Sequence, residues 1–191
     1  MSNKFFDELS VLDKIIQHFR FRKVHSRIPA NGVVVDLGAG DGAFLKSVAH
    51  RINKGFAFDR YADTRDSGNI HFISFDLDTD VLDTRVVTRA DTVTALAVIE
   101  HVKSPEKLMK EAFSILRPGG VFFVTTLTPR SRRLLEFLAF RLGITEREGL
   151  LEHRRYMWGY ELYTLAKDIG FSTATWHEFE FGMNTIFTAT K

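Results

Sequence analysis

The stretch from Val33 to Leu45 places the strongest constraint on the fold, because it joins an apolar strand to a glycine-rich turn and a helix. Three consecutive valines are typical of a parallel strand that is covered on both faces. In the turn, Gly38, Gly40 and Gly42 remove side chains where the backbone must approach a ligand closely. The N-terminus of the following helix then presents backbone N–H groups. This unit predicts an α/β sheet with a nucleotide-type ligand at the turn.

The length and composition of the chain indicate one domain and exclude several kinds of chemistry. A chain of 191 residues, 45% of them hydrophobic, can bury one core, so we assign residues 1–191 to a single domain. Lysine and arginine number 26 and aspartate and glutamate 24, and the net charge of +2 does not favour nucleic acid. The absence of cysteine excludes disulfides, thiolate metal sites and iron–sulfur clusters.

The N-terminal segment has helical periodicity and no features of a signal peptide. Its apolar positions predict an amphipathic helix over about 4–28, and Asp7, Glu8, Asp13 and Lys14 interrupt any continuous apolar stretch. No later segment is long and apolar enough for a transmembrane helix. We therefore expect a soluble cytoplasmic protein. The basic end of this helix leaves two interpretations open, a solvated surface or a contact with a membrane surface or an anionic substrate.

Strand-like and helix-like segments alternate along the rest of the chain. This alternation predicts a parallel, doubly wound sheet, with ligands outside the carboxyl ends of its strands. The last two strands have no helix between them and must form an antiparallel hairpin at one edge. A further helix starts at Ser104-Pro105-Glu106, which supplies a cap, a proline and an acid in the first turn, and it ends before Arg117. The other predicted segments are helices at 41–51, 80–89, 130–143 and 159–169, and strands at 55–59, 70–74, 92–96, 121–126, 173–179 and 185–190.

Four ordered sequence blocks carry a resemblance to a known family. They are VVVDLGAGDGAFL, FAFDR, TVTALAVIEHV and ILRPGGVFFVTT. With these blocks the chain resembles the class I S-adenosylmethionine-dependent methyltransferases, particularly small-molecule enzymes of the ubiquinone-biosynthesis type. The spacing Asp-x-Gly-x-Gly-x-Gly differs from the Gly-x-Gly-x-x-Gly of dinucleotide binders, which disfavours an NAD-dependent oxidoreductase. The resemblance implies a Rossmann-like doubly wound sheet of seven strands, in the order 3-2-1-4-5-7-6 with the last strand antiparallel.

The resemblance also implies S-adenosyl-L-methionine as the cofactor and a set of residues that hold it. Asp36 is expected near the ammonium group of the cofactor, and Asp59 near its ribose hydroxyls. The adenine contact is expected at Asp76, and the neighbouring Asp78 and Asp80 leave this assignment open. The complete set expected at the cofactor is Asp36, Gly38, Ala39, Gly40, Asp59, Arg60, Asp76, Leu77, Ala95 and Leu96.

The Glu100-His101 pair follows the fourth strand of the predicted core and is expected to face the acceptor. A subset of the family holds a divalent metal with a Glu-x-x-Glu-His pattern, but Ala97 replaces the first glutamate here, so we predict no metal. Two roles stay open for His101. The resemblance implies that the Glu-His pair caps a helix and bonds to a loop; the alternative is that His101 contacts the substrate or acts as the catalytic general base that accepts a proton from it.

The segment at about 128–156 is expected to form a variable lid over the acceptor. The resemblance suggests substrate contacts at His153 and Tyr156. Seven arginines and four glutamates give this segment a formal balance of +3. That charge favours an anionic acceptor with a carboxylate or phosphate, and a solvated helix face explains it equally well. The Phe137-Leu138-Ala139-Phe140 cluster is consistent with an apolar pocket or with core packing.

These features predict an enzyme that transfers a methyl group to a small-molecule acceptor by in-line displacement and releases S-adenosylhomocysteine. Methylation of adenine amino groups is disfavoured, because Leu96-Ala97-Val98-Ile99 replaces the Asn- or Asp-Pro-Pro-Tyr run of those enzymes. The usual cytosine carbon methylation needs a cysteine nucleophile, which the chain lacks. A second hypothesis is a non-catalytic partner or regulatory subunit that binds the same cofactor. The sequence identifies neither the acceptor nor the oligomeric state.

Overall fold

An eight-stranded mixed sheet forms the centre of the computed structural model, which describes residues 11–83, 87, 89–131 and 156–191. Apolar strands and amphipathic helices follow one another along the chain as the sequence pattern predicts. In order, the elements are α1 (Val11–His25), β1 (Val33–Leu37), α2 (Ala43–Val48), β2 (Lys54–Asp59), β3 (Arg65–Ser67), β4 (Ile70–Ser74), β5 (Ala90–Leu96), α3 (Pro105–Ile115), β6 (Leu116–Leu127), α4 (Gly159–Ile169), β7 (Thr173–Phe179) and β8 (Asn184–Thr190).

The order of strands across the sheet is β3-β4-β2-β1-β5-β6-β8-β7. Strands β4, β2, β1, β5 and β6 are parallel, whereas β8 runs antiparallel to both of its neighbours. The predicted Rossmann-like order and the terminal hairpin are therefore confirmed. In this arrangement the carboxyl ends of β1, β2, β4 and β5 lie along one border of the sheet, which we call the carboxyl edge.

The prediction of seven strands is wrong by one, because the short strand β3 adds an antiparallel edge beside β4. Its sequence, Arg65-Asp66-Ser67, is polar and exposed and gives no apolar strand signal. Two side-chain contacts hold it in place. The Asp66 carboxylate lies 2.6 Å from Nδ1 of His71, and the Arg65 guanidinium lies 4.6 Å from the centre of the Phe72 ring.

The helix predicted at 80–89 is also wrong for the residues described there, since Asp80 to Asp83, Val87 and Arg89 are not helical. Hydrogen bonds to other groups compete with the helix. The Asp80 carboxylate accepts a hydrogen bond from the backbone N–H of Asp76 at 2.8 Å. The carbonyl oxygen of Asp80 accepts a second one from Nζ of Lys107 at 2.5 Å.

Helices cover both faces of the sheet, and the sheet separates the hydrophobic core into two layers. On one face, α1 and α2 pack against β1, and the ring of Phe21 meets that of Phe44 edge-on at 5.3 Å. On the other face, α3 and α4 pack against β5 and β6 through buried side chains such as Met109, Leu162 and Phe122. Coverage of both faces explains why the valines of β1 are consecutive rather than alternating with polar residues.

Several element bounds differ from the sequence prediction. α2 is shorter than the predicted helix at 41–51, and β6 begins at Leu116, directly after α3, instead of at 121. The part of α1 that is described begins at Val11, and the helix predicted at 130–143 lies almost wholly outside the described residues. No helix in the described part of the chain combines the length and the apolar character that a bilayer crossing requires.

Candidate functional site

The carboxyl edge brings together the sequence segments that we singled out. The glycine-rich turn follows β1, Asp59 ends β2, the loop with Asp76 follows β4, and the turn with Glu100 follows β5. β1 lies between β2 and β5 in the sheet, so these segments surround the end of β1. In a doubly wound sheet this is the place where ligands bind.

The glycines of the turn are required by backbone conformation and by packing. Gly38, Gly40 and Gly42 have φ angles of +73°, +57° and +78°, a region that side chains rarely tolerate. A Cβ atom on Gly38 would lie 2.4 Å from Cγ2 of Val98, and one on Gly42 would lie 2.6 Å from the ring of Phe72. The turn thus packs closely against β4 and against the turn that follows β5.

Backbone N–H groups of the turn are fixed by β2. The N–H groups of Gly38 and Ala39 both donate to the carbonyl oxygen of Phe58, at 2.7 and 3.0 Å. The N–H of Gly40 donates to Oδ2 of Asp59 at 2.8 Å. These N–H groups therefore hold the turn to β2. α2 starts at Ala43, whose backbone N–H donates to Oδ1 of Asp41 at 3.0 Å.

Asp59 joins the end of β2 to both neighbouring loops. Besides Gly40, its carboxylate accepts a hydrogen bond from the backbone N–H of Tyr61 at 2.9 Å, through Oδ1. A carboxylate offers about four lone-pair sites, so Asp59 can still accept hydrogen bonds from a ligand. Arg60 is exposed beside it, with its guanidinium 5.3 Å from the centre of the Tyr61 ring.

Asp36 is a buried acid inside the sheet, with only 3% of its surface exposed. Its Oδ1 lies 2.6 Å from Oγ1 of Thr94 on the neighbouring strand β5. The pKa of Asp36 is raised to about 7, chiefly by burial and also by the negative charge of Asp59, while the Thr94 hydroxyl acts in the opposite direction. This carboxyl group can therefore gain or lose a proton near neutral pH.

Aspartate side chains and backbone groups hold together the loop that follows β4. Oδ1 of Asp76 accepts a hydrogen bond from the N–H of Asp78 at 2.8 Å, and the N–H of Asp76 donates to Asp80. Oδ1 of Asp78 accepts a hydrogen bond from the N–H of Lys103 at 2.7 Å. Asp78 and Asp80 thus hold the backbone of the loop and of the segment before α3. Leu77, which is half-buried, packs on the core.

The turn after β5 carries Glu100 and His101 at the carboxyl edge. Ala95 is fully buried in β5, Leu96 ends the strand, and Ala97 then takes a φ of +58°. Oε2 of Glu100 accepts a hydrogen bond from Oγ1 of Thr126 at 2.9 Å. Within the described part of the chain, Oε1 of this buried glutamate has no hydrogen-bond partner. The backbone N–H of His101 closes the turn on the carbonyl of Val98.

The substrate residues expected in the lid are only partly described. Tyr156 is half-buried just before α4, whereas His153 and the phenylalanine cluster at 137–140 lie outside the described residues. Two residues at the edge were missed by the sequence prediction. Thr94, a polar residue inside a buried strand, gave a usable signal, but Val98 did not, because its contact with Gly38 depends on the folded turn.

Comparisons with known proteins agree with this geometry. Residues 11–175 match the sequence profile of a family described as a methyltransferase domain. The chain is 28% identical over 116 residues to the ubiquinone biosynthesis O-methyltransferase of Xanthomonas axonopodis pv. citri, covering 56% of this chain and 48% of that protein. The chain thus spans about half the length of the curated relatives it matches.

Solved structures share the fold at low sequence identity. An S-adenosylmethionine-dependent methyltransferase from Mesorhizobium loti superposes with a TM-score of 0.64 at 20% identity, covering 89% of this chain and 96% of that one. A complex of the Haloferax volcanii Trm112 methyltransferase activator with a proposed methyltransferase gives 0.66 at 16% identity, covering 96% and 99%. With the profile match over most of its length, the chain belongs to the methyltransferase-domain family, and its resemblance to class I S-adenosylmethionine-dependent methyltransferases is confirmed.

Proposed function

We propose that the protein binds S-adenosyl-L-methionine at the carboxyl edge and transfers its methyl group to a small-molecule acceptor. The observation that carries the proposal is the connection between Asp59 and the glycine-rich turn. One carboxylate at the end of β2 holds the N–H of Gly40 at 2.8 Å. The same carboxylate is thereby oriented for the paired hydroxyls of a ribose, as in other nucleotide-binding α/β sheets.

The residues of the edge fit the three parts of this cofactor. Gly38 and Gly40 have positive φ angles and no side chains, so they leave room for the amino-acid end of the cofactor. Asp36 supplies a carboxyl near its ammonium group. Asp59, with Arg60 beside it, takes the ribose. The loop with Asp76 and Leu77 takes the adenine, and the end of β5 at Ala95 and Leu96 closes over the methionine portion. Ala39 completes the turn between the two glycines.

The chain contributes mainly alignment and exclusion of water to the reaction. When bound, S-adenosylmethionine would supply a methyl group on a sulfonium: an oxygen, nitrogen or carbon of the acceptor would attack the methyl carbon in line, the carbon–sulfur bond would break, and S-adenosylhomocysteine would leave. The turns after β1 and β5, locked together where Val98 packs on Gly38, fix the position from which the acceptor approaches. His101 faces the acceptor. If the attacking group of the acceptor carries a proton, His101 accepts that proton.

Binding measurements test the assignment of the cofactor. We expect S-adenosylhomocysteine to raise the melting temperature of the protein and to give a Kd in the micromolar range by calorimetry, roughly −8 kcal/mol. NAD serves as the matched ligand, since it also carries an adenosine ribose. A thermal shift with NAD and none with S-adenosylhomocysteine would contradict the proposal and favour an oxidoreductase.

A second candidate is a subunit that binds the cofactor without transferring the methyl group by itself. This candidate is supported by the Haloferax structure, in which a protein of the same fold is bound to a methyltransferase activator. Cofactor binding without turnover on any acceptor in a screen of phenols, quinone precursors and sugar derivatives would support this candidate. Methylation of any of these acceptors by the isolated chain would exclude it.

Replacing His101 by alanine separates its two possible roles. If the imidazole accepts the proton of the acceptor, turnover falls about 100-fold or more, while the Kd for S-adenosylhomocysteine changes less than about twofold. His50→Ala is the matched control, because His50 is exposed in the turn just after α2, with its ring centre 6.4 Å from that of His25. Parallel losses of cofactor affinity and turnover in His101→Ala would show that the side chain supports the turn after β5 instead.

A further inference from the structure

Helix α3 makes several contacts with the loop that follows β4, and two of them are hydrogen bonds from Lys107. Its Nζ donates hydrogen bonds to the carbonyl oxygens of Leu77, at 2.9 Å, and of Asp80, at 2.5 Å. These carbonyls stand at the two ends of a four-residue span, so one ammonium group bridges the loop. Carbonyls that would otherwise need water or a helix partner are satisfied by a charged donor.

Two further contacts place α3 along the same loop. The backbone N–H of Lys103, just before the helix, donates to Asp78 at 2.7 Å. One turn after Lys107, Oε1 of Glu111 lies 3.5 Å from the Lys107 ammonium. Burial raises the pKa of Glu111, and the charge of Lys107 opposes that rise, so the two side chains form a pair beside the loop.

The position of Lys107 links this contact to the cofactor. The proposed function places Asp76 and Leu77 at the adenine. Lys107 binds the carbonyl oxygen of Leu77, the residue directly after Asp76. No strand or helix includes residues 75–80, so their backbone lacks the regular hydrogen bonds that fix β4. Their conformation depends on two backbone bonds to the carbonyl of Asp76, on the aspartate carboxylates, and on the two contacts of the Lys107 ammonium.

We propose that Lys107 is a positioning residue for the adenine portion of the cofactor, acting through the backbone of Leu77 and Asp80 without touching the ligand. This inference rests on the proposed function. It extends the cofactor site to α3, a helix in which the sequence motifs place no binding residue. It also gives the Lys107–Glu111 pair a role that a surface ion pair does not have, since such pairs alone contribute little.

The test compares two lysines of the same helix. Lys107→Met removes the ammonium group that bridges the loop, and Lys110→Met removes one that pairs with Glu106 on the exposed face, at 2.6 Å. Since Lys107→Met leaves Glu111 without its cation, the double variant Lys107→Met with Glu111→Gln tests the same loss without an unpaired charge. Lys107→Arg, which keeps a donor of hydrogen bonds to carbonyls, tests for rescue.

Calorimetry with S-adenosylhomocysteine and S-inosylhomocysteine reads out the adenine subsite, because the second ligand lacks the adenine amino group. We expect Lys107→Met and the double variant to bind S-adenosylhomocysteine about tenfold more weakly, the value of about one hydrogen bond. Binding of the inosine ligand should change less than about threefold. Lys110→Met should match the wild type with both ligands, and Lys107→Arg should recover most of the loss.

Three results would overturn the inference, and they are distinguishable from one another. Equal affinity of wild type and Lys107→Met for S-adenosylhomocysteine shows that the lysine positions nothing. Equal losses for both ligands show a general structural role. A wild-type protein that binds neither ligand overturns the proposed function itself.

Amide hydrogen exchange of the protein without ligand gives a readout that does not depend on binding. Amides of residues 77–82 should exchange faster in Lys107→Met than in Lys110→Met. Amides of β2 and β5 should stay unchanged. Unchanged exchange at 77–82 would contradict the inference, because the loop would then hold its shape without Lys107.

Discussion

Replacing Asp59 by alanine should raise the Kd for S-adenosylhomocysteine at least about 100-fold. Two hydrogen bonds from ribose hydroxyls to a carboxylate are lost, each worth about 1.5–3 kcal/mol, and about 3 kcal/mol corresponds to roughly 100-fold in affinity. The internal bond from the N–H of Gly40 to this carboxylate, 2.8 Å long, is lost as well. The turn after β1 then loses one of the three hydrogen bonds that fix it to the end of β2. Isothermal calorimetry measures the change directly.

Two further variants show whether the loss of affinity for S-adenosylhomocysteine comes from the charge of Asp59 or from the shape of the end of β2. Asp59→Asn keeps an oxygen acceptor for the turn but loses the charge, and we expect an intermediate loss of affinity. Asp63→Ala is the matched control, because Asp63 is an exposed acid nearby in the chain that pairs only loosely with Arg65, at 3.9 Å. Near-normal cofactor affinity in Asp59→Ala, with the control also normal, would contradict the assignment of the ribose site.

The core of the fold could be predicted from the sequence because local signals and tertiary structure agree there. β4, α4 and β7 occur at the predicted residues. For α4, the stop signal was local, since Gly170 takes a φ of +107° at the end of the helix. The parallel order followed from the alternation of strands and helices, and the terminal hairpin from the absence of a helix between β7 and β8.

The wrong predictions occur where contacts between distant residues outweigh local preference. β3 is polar, and its pairing depends on side chains of the next strand, such as His71. The segment after Asp80 has a helical pattern, yet Lys107, 27 residues further along the chain, holds its carbonyl oxygen. No pattern in a single sequence announces such a contact.

The candidate site shows the same division. The glycine spacing and the acids at strand ends are local signals, and the structure brings Asp36, Asp59 and Asp76 to one edge of the sheet. The reason for Gly38 was only partly predictable. A ligand was expected to require the missing side chain, but Val98, from the turn after β5, already requires it. The burial of Asp36, and therefore its titration, also depends on the neighbouring strands.

Titration of Asp36 should make the stability of the protein depend on pH in a defined direction. The pKa of Asp36 is about 7 in the folded chain and 3.8 for an ordinary aspartate, so the unfolded chain loses the proton first as pH rises. Stability contributed by this group is full below about pH 4 and falls between pH 4 and 7, by about 4 kcal/mol in total. Urea unfolding at several pH values should show this fall as the difference between wild type and Asp36→Asn.

Burial favours the neutral form of Asp36, and although a hydrogen bond from Thr94 favours the ionised form, the neighbouring groups can also accommodate the proton. Oγ1 of Thr94 lies 2.6 Å from Oδ1 of Asp36 and 3.2 Å from the carbonyl oxygen of Val35, but a hydroxyl has only one hydrogen to donate. A protonated Asp36 donates to Thr94, which frees the threonine hydrogen for Val35. An asparagine amide can make the same donation, so Asp36→Asn should fold and should lack the fall in stability.

A cationic ligand beside Asp36 reverses this preference, so binding and proton release are coupled. S-adenosylmethionine carries an ammonium group and a sulfonium, and either charge lowers the pKa of a nearby carboxyl. Below about pH 7 the protein must then lose a proton to bind, and we expect affinity to be roughly tenfold lower at pH 6 than at pH 8. Calorimetry in buffers of different ionisation enthalpy counts the released proton. Affinity that is independent of pH in the wild type, or equally dependent in Asp36→Asn, would place the cationic end of the cofactor away from Asp36.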